Sequence, residues 1–166
     1  MSNLTEIEPR LYRKAMGQFP TGVTVVTTRV GDTIHGMAAN SFVSVSLDPP
    51  LVLVSIAKKA KMHEYLLRSR AFGISILHEG QQDVCMHFAG RPKENLTIEF
   101  TEVEGTPVLK EAVARITAEV VDAHEAGDHT LFIGHVRHLD YNEQLKPLIF
   151  CRGSYGEFVE LEETSS

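Results

Sequence analysis

Residues 19–57 alternate short β-forming runs with turn residues, and this pattern constrains the fold more than any other part of the chain. Residues 23–28 are rich in β-branched side chains, and Gly31-Asp32 predicts a two-residue hairpin turn into a strand over residues 33–39. Residues 51–56 are apolar on both faces, which is typical of a central strand. Strands this short and closely spaced favour an antiparallel sheet over alternating strands and helices.

One more strand is predicted within this segment, with a single buried face. Over residues 41–47, Val43, Val45 and Leu47 alternate with serines, which is the period of two expected of a strand. The prolines at 49 and 50 end this strand, because proline cannot donate a hydrogen bond to a neighbouring strand. The apolar side chains are therefore expected to face the core.

The remainder of the chain continues the β-rich pattern. Residues 112–123 are Ala-rich but alternate in polarity, and the turn at 125–128 needs a strand on each side, so we interpret this segment as a strand. Short helices are expected at residues 11–18, 61–69 and 81–89, with further strands at 72–77, 130–139 and 147–151. Six or seven strands with two or three short helices predict a mainly β protein that forms an antiparallel barrel.

Composition excludes several classes of protein. The 166 residues fit one domain over residues 1–166, with frayed ends at about 1–8 and 160–166. Sixteen basic and 22 acidic side chains give a net charge of −6 without a basic stripe, which argues against a nucleic-acid partner. The sequence has no signal-peptide pattern, no apolar run near the roughly 18 residues of a membrane span, and only two cysteines. A cytoplasmic protein without a membrane partner is expected.

Polar groups at the strand ends indicate a ligand site. Asn40 and Ser41 lie at a strand junction, where backbone amides and a short hydroxyl can contact a flat ligand that carries a phosphate. Taken alone, both residues also fit a junction that merely tolerates a turn. The wider sequence distinguishes the two interpretations.

Four separated motifs resemble the short-chain flavin reductase family, the reductase components of two-component flavin-dependent monooxygenases. They are residues 36–50 (GMAANSFVSVSLDPP), 88–91 (FAGR), 127–134 (GDHTLFIG) and 152–156 (RGSYG). The resemblance implies an FMN-binding split barrel of Greek-key topology that works as a homodimer. It also implies that NADH or NADPH reduces FMN or FAD, and that the reduced flavin diffuses to an oxygenase component.

The resemblance implies a set of site residues. The cofactor-binding candidates are Met37, Ala38, Ala39, Asn40, Ser41, Ser55, Ile56, Ala57, Lys61, Phe88, Arg91 and Tyr155. Where the family often has a Ser-x-Thr pair that binds the phosphate, this chain has Ala60-Lys61-Met62. Lys61, or the backbone amides of the helix that follows, is therefore expected to hold the phosphate.

His129 is the catalytic candidate, because it opens a strand directly after Gly127-Asp128. The resemblance implies that its imidazole orients the nicotinamide or, when protonated, stabilises the anionic reduced flavin. A hairpin histidine paired with Asp128 is the structural alternative. Likewise Phe88 fits either a flavin contact or the core, and Tyr155 either a cover over the nicotinamide or adenine, or packing at a dimer seam.

Other chemistries find little support in the sequence. Although four histidines lie within residues 124–138, His135 and His138 have opposite parity on one strand, and no HExxH or Cys-x2-Cys spacing occurs, so no metal site is expected. No Gly-x-Gly-x-x-Gly follows a strand, which excludes a Rossmann fold. A flavin carrier, or an oxidase similar to pyridoxamine phosphate oxidase, remains as the alternative function.

Overall fold

The computed structural model describes residues 6–163, which form twelve strands and three short helices. The helices are α1 (Pro9–Met16), α2 (Lys61–Ser69) and α3 (Gln82–Phe88). The strands are β1 (Thr21–Gly22), β2 (Thr24–Val30), β3 (Thr33–Ala39), β4 (Phe42–Ser46), β5 (Leu51–Ala57), β6 (Ala71–Ile76), β7 (Phe100–Val103), β8 (Thr106–Leu109), β9 (Ala114–Ala126), β10 (His129–Tyr141), β11 (Leu148–Cys151) and β12 (Ser154–Glu157). The expected fraying at both ends of the chain falls partly outside the described residues.

A seven-stranded antiparallel sheet in the order β3-β2-β6-β9-β10-β5-β4 forms the body of the protein. The prediction of a mainly β fold with a few short helices is confirmed. The prediction that the sheet closes into a barrel is not: in the described chain β3 and β4 lie at opposite edges and do not pair. Strand β4 pairs with β5, and β5 pairs with β10, which places β4 at the edge of the sheet opposite β3. The single bend at Asn40, between β3 and β4, therefore carries the chain from one edge to the other.

Strand β4 contradicts the expected burial of its apolar face. Val43, Val45 and Leu47 are 52%, 46% and 92% exposed in the single chain. The period of two identified the strand correctly, but β4 is an edge strand, and within residues 6–163 its apolar face stays exposed. β5 is paired on both sides, with β4 and β10, as expected of a central strand, although it is second from the edge and its residues alternate between buried and half-buried.

Two apolar clusters form the core and join the sheet to helices α2 and α3. The larger one joins β2, β5, β6, β9 and β10 to α2 through fully buried side chains such as Ile56, Leu66 and Phe132. The smaller one joins β2, β8 and β11 to α3 through Val25, Leu109 and Leu148. Both α2 and α3 pack on the sheet close to β3, so that both helices approach the same strand.

Several elements differ from the sequence-based expectation because their signals are short. The hairpin of β7 and β8 turns at Glu104 and Gly105, both with positive φ, and was not predicted. The strand over residues 147–151 is not the last one, since β12 follows after Gly153 and pairs with β11. A register shift between Val136 and His138 interrupts the regular alternation on which the parity argument for the histidines was based.

Candidate active site

The end of β5 and the start of β10 lie side by side. Ala57 is the direct cross-strand partner of His129, and the backbone N–H of Lys58 donates to the carbonyl oxygen of Asp128 at 2.9 Å. Although 72 positions separate Ala57 from His129 in the sequence, this antiparallel register places the candidate segment 55–57 next to the catalytic candidate. The Ile56 side chain is fully buried, so only its backbone can contact a ligand.

Two hydrogen bonds connect the bend at Asn40 to the same strand. The Ser41 hydroxyl donates to the carbonyl oxygen of Ser55 at 2.8 Å, and the Ser55 N–H donates to the carbonyl oxygen of Ser41 at 3.3 Å. Asn40 is exposed immediately before this pair. The residues that the motif brought together in the sequence thus form a fixed corner beside Ala57.

The start of α2 has the properties of an anion site. Its N-cap residue, Ala60, provides no side-chain cap, and the first residue, Lys61, is exposed. The first backbone N–H groups of a helix lack partners within the helix and attract negative charge. Hydroxyl groups are absent from positions 60–62, but an ammonium group and uncapped amides are present, which fits a phosphate.

A second group of candidates surrounds the end of α3. The Phe88 ring lies directly over Gly36, where an added Cβ would stand 2.7 Å from Cδ1 of the ring, so only glycine fits beneath it. Ala38 and Phe88 both pack against the smaller apolar cluster, and Met37 and Ala39 pack against the larger one. The end of β3 therefore connects the two groups of candidate residues.

The Tyr155 hydroxyl has a partner within the protein. It donates to Sγ of Cys85 at 3.4 Å, and this hydrogen bond, with burial, raises the pKa of Tyr155 to about 12. The positive charge of Arg91 acts on the same pKa in the opposite direction. Arg91 itself is exposed after Gly90, whose φ of +88° favours glycine.

Electrostatics at His129 are set by the neighbouring carboxylate. Nδ1 of His129 lies 2.7 Å from Oδ1 of Asp128, and the hydrogen bond to His129, followed by charge attraction, lowers the pKa of Asp128. An ionised Asp128 accepts a hydrogen bond from Nδ1–H and so favours the tautomer with its lone pair on Nε2. The hairpin pair foreseen as the structural alternative is present, and it leaves Nε2 for a ligand.

A family model described as a flavin reductase like domain matches residues 16–158. The chain belongs to the flavin reductase-like family. The resemblance identified from the four motifs is thereby confirmed. The match covers every predicted site residue from Met37 to Tyr155.

Named relatives support this assignment. An NADH-dependent flavin reductase from a Rhodococcus species is 46% identical over 90% of this chain and 86% of its own length. The reductase component of 4-hydroxyphenylacetate 3-monooxygenase from Thermus thermophilus is 36% identical over 89% of this chain and 95% of its own. The solved structure of the flavin reductase PheA2 in its native state superposes with a TM-score of 0.89, at 46% identity, over 93% of this chain and all of that one.

In this flavin reductase-like chain, a cavity of about 1210 Å³ lies away from the candidate site. It is lined by the start of α3 and by residues 109–112 and 140–145, and none of the predicted site residues borders it. Its wall includes the close pairs Arg115–Asp140, His78–Glu111 and Lys110–Glu99. Within residues 6–163, no three His, Cys, Asp or Glu side chains are arranged to hold a metal ion, and no helix is long and apolar enough to cross a membrane.

Sequence reasoning missed two residues, His63 and Cys85, that hydrogen-bond to residues in or next to the candidate site. His63 of α2 forms a hydrogen bond with Thr130 of β10, and neither residue was among the predicted site residues. Cys85 holds the Tyr155 hydroxyl, 70 positions away. Both contacts join distant segments, and the sequence carries no local signal for either. Gly36 is different, because a glycine at the start of the first motif is visible in the sequence, and in the structure it lies beneath Phe88.

Proposed function

We propose that this protein oxidises NADH or NADPH to reduce FMN or FAD, and that the reduced flavin leaves to serve the oxygenase component of a two-component monooxygenase. The names of the relatives support the reaction, since one is an NADH-dependent flavin reductase and another a monooxygenase reductase component. The observation that carries the proposal is the pairing of Ala57 with His129, which brings the strand end next to the histidine.

The proposed flavin site extends from α2 to Arg91. Lys61 and the uncapped amides of α2 would bind the phosphate, and the corner of Asn40 and Ser41 would hydrogen-bond the polar edge of the ring. Arg91, exposed after Gly90, would supply a second positive charge suited to a phosphate or diphosphate. When bound, the flavin supplies a ring that accepts the hydride and passes the electrons on.

His129 would orient the nicotinamide over that ring. With Nδ1 bonded to Asp128, the neutral imidazole presents the Nε2 lone pair, which can accept a hydrogen bond from the carboxamide N–H of the nicotinamide. In the protonated form, Nε2–H would instead stabilise the negative charge of the reduced flavin. Asp128 supports both forms, because an ionised carboxylate favours a proton on Nδ1.

The proposal includes a cytoplasmic homodimer with one domain per chain. The exposed apolar face of β4 supports a dimer, because it begins directly after the corner of Asn40 and Ser41 and is not covered by the part of the chain that the structure describes. The two free cysteines, Cys85 and Cys151, suit a reducing compartment. Light scattering tests the assembly: a monomer that binds flavin at full occupancy would contradict it.

The function is tested by following NADH oxidation with and without added FMN, FAD or riboflavin. We expect oxidation only with flavin present, and transfer of electrons through free reduced flavin to an acceptor behind a dialysis membrane. Unchanged NADH oxidation on adding flavin would contradict the proposal. One flavin per chain retained through purification, without turnover, would instead support the carrier, and oxygen-dependent activity on an amine would support the oxidase.

A further inference from the structure

Helix α1 has one apolar and one basic half, and within residues 6–163 neither half is covered. At about 100° per residue, two groups of side chains separate onto opposite sides of the helix. The apolar half consists of Leu11, Tyr12, Ala15 and Met16, and the basic half of Arg10, Arg13 and Lys14. None of the eight residues is buried, and Leu11, Tyr12 and Met16 are 62%, 57% and 55% exposed. Helices this short gain most of their stability from packing an apolar face against another segment. Within residues 6–163, the apolar half of α1 lacks such packing.

A second uncovered segment lies at the other end of the chain. Residues 158–163, which we call the acidic tail, follow β12 without regular structure. The tail contains three glutamates and no basic residue. Its apolar side chains Phe158, Val159 and Leu161 are 55%, 72% and 94% exposed. The tail therefore carries the same combination as α1, exposed apolar groups and charge, but of the opposite sign.

We propose that α1 of one copy binds the acidic tail of a second copy. This inference rests on the proposed homodimer and specifies which segments hold it together. Apolar contacts between the two would supply affinity, and the opposite charges would fix the pairing. Two-fold symmetry makes the contact twice per dimer. The exposed face of β4 is a weaker partner for α1, since Asp48 is the only acidic residue in or next to it.

Reciprocal charge reversal tests this pairing directly. One variant carries Arg13→Glu and Lys14→Glu, and the other carries Glu162→Lys and Glu163→Lys. In a dimer of either variant with itself, like charges face each other at both α1–tail contacts. We therefore expect the dimer Kd of each variant to rise by about tenfold or more. Mixed in equal amounts, the two variants oppose unlike charges at both contacts, and we expect the heterodimer to regain the wild-type Kd within about threefold.

Sedimentation analysis of the separate and mixed samples provides the readout. The matched control reverses Arg68 and Lys146, two exposed basic residues outside α1, and should dimerise like the wild type. Rescue on mixing also shows that both variants are folded. Two dimers that stay intact, or weakened variants that do not recover on mixing, overturn the inference. A tail that binds α1 of its own chain belongs to the first of these outcomes, because dimerisation is then unaffected.

Flavin reduction is measured on the same samples, so that the two proposals fail separately. If the wild type reduces flavin and neither charge reversal weakens the dimer, the proposed reductase function stands and the α1–tail contact is contradicted. If the charge reversals weaken the dimer but the wild type does not reduce flavin, the contact stands and the proposed function is contradicted. A wild type that remains monomeric at every concentration overturns the contact between copies.

Discussion

Nε2 of His63 lies 2.7 Å from Oγ1 of Thr130. His63 is the third residue of α2, which begins at Lys61, and Thr130 is the buried neighbour of His129 at the start of β10. The His63 ring also stands edge-on to Phe132 in the core. One contact therefore joins the helix that would hold the phosphate to the strand that carries the candidate for nicotinamide binding.

Removing this hydrogen bond should weaken both the fold and the binding of FMN. Thr130→Val keeps the side-chain shape but leaves His63 unpaired, and we expect the free energy of unfolding to fall by about 1–2 kcal/mol. KM should rise more for FMN than for riboflavin, because only FMN needs the start of α2. In a double-mutant cycle with His63→Ala, urea denaturation should give a coupling of at least about 0.5 kcal/mol. Strictly additive effects would show that the two residues act independently.

His129→Ala should lower NADH-dependent turnover by about tenfold or more, roughly 1.4 kcal/mol of transition-state stabilisation. Flavin affinity should change little, because the proposed partner of Nε2 is the nicotinamide. Asp128→Asn is the companion variant: its amide oxygen can still accept from Nδ1, so part of the activity should remain. Steady-state kinetics and flavin titration check both. Unaltered turnover in His129→Ala would reduce His129 to a hairpin residue.

Arg91→Ala should weaken FMN binding through loss of a charge-assisted contact to phosphate. Riboflavin has no phosphate, and its affinity should barely change. Arg68→Ala removes an exposed arginine of α2 and serves as the control for net charge. Fluorescence titration with both flavins provides the comparison. Equal losses for FMN and riboflavin would assign Arg91 to the fold or to the ring instead.

Gly73→Ala should destabilise the sheet strongly. A Cβ at this position would stand 2.7 Å from Oγ1 of Thr27 and from Cγ1 of Val108, and still closer to the carbonyl oxygen of Pro107. We expect the free energy of unfolding to fall by about 3 kcal/mol. Gly22→Ala is the control, since nothing lies within 4 Å of its added Cβ, and thermal or urea denaturation compares them. Similar stabilities would mean that β6 and β8 separate easily.

Acid should destabilise the protein partly through Asp140. Hydrogen bonds from Arg115, and then from His138, lower the pKa of Asp140 below its ordinary value of about 3.9. The unfolded chain thus takes up the proton first, and the stabilisation, fully present above that value, is lost as the pH falls through the folded pKa. Asp140→Asn should flatten the decline in unfolding free energy as the pH falls below about 4. Parallel slopes for Asp140→Asn and the wild type would contradict this account.

Local signals explain the parts of the fold that the sequence predicted well. Strand β3 and helix α2 have the predicted bounds, because a Gly-Asp turn and a periodic apolar face define them within a few residues. The strand predicted over residues 112–123 is confirmed as β9, Ala114–Ala126, which pairs with the following strand as the hairpin required. Likewise the motif around Asn40 and Ser41 forms one corner, since its residues are neighbours in the chain.

Other features depend on distant segments and carried no local signal. The exposure of Val43 and Leu47 follows from the position of β4 at the sheet edge, which alternation along one strand cannot reveal. The His63–Thr130 and Cys85–Tyr155 contacts join segments about 70 positions apart. The residues predicted to bind flavin lie on connected elements, while their roles as ligands stay a prediction.

The paired hydrogen bonds between Ser41 and Ser55 also bear on how quickly a ligand can be exchanged. Both bonds hold the corner in place within the protein itself, so a molecule that docks there does not have to order a loose loop first. Little conformational entropy is then lost on arrival, and little is regained on departure. Such a rigid corner suits a molecule that must be taken up anew in every catalytic cycle, because binding does not wait for a loop to become ordered.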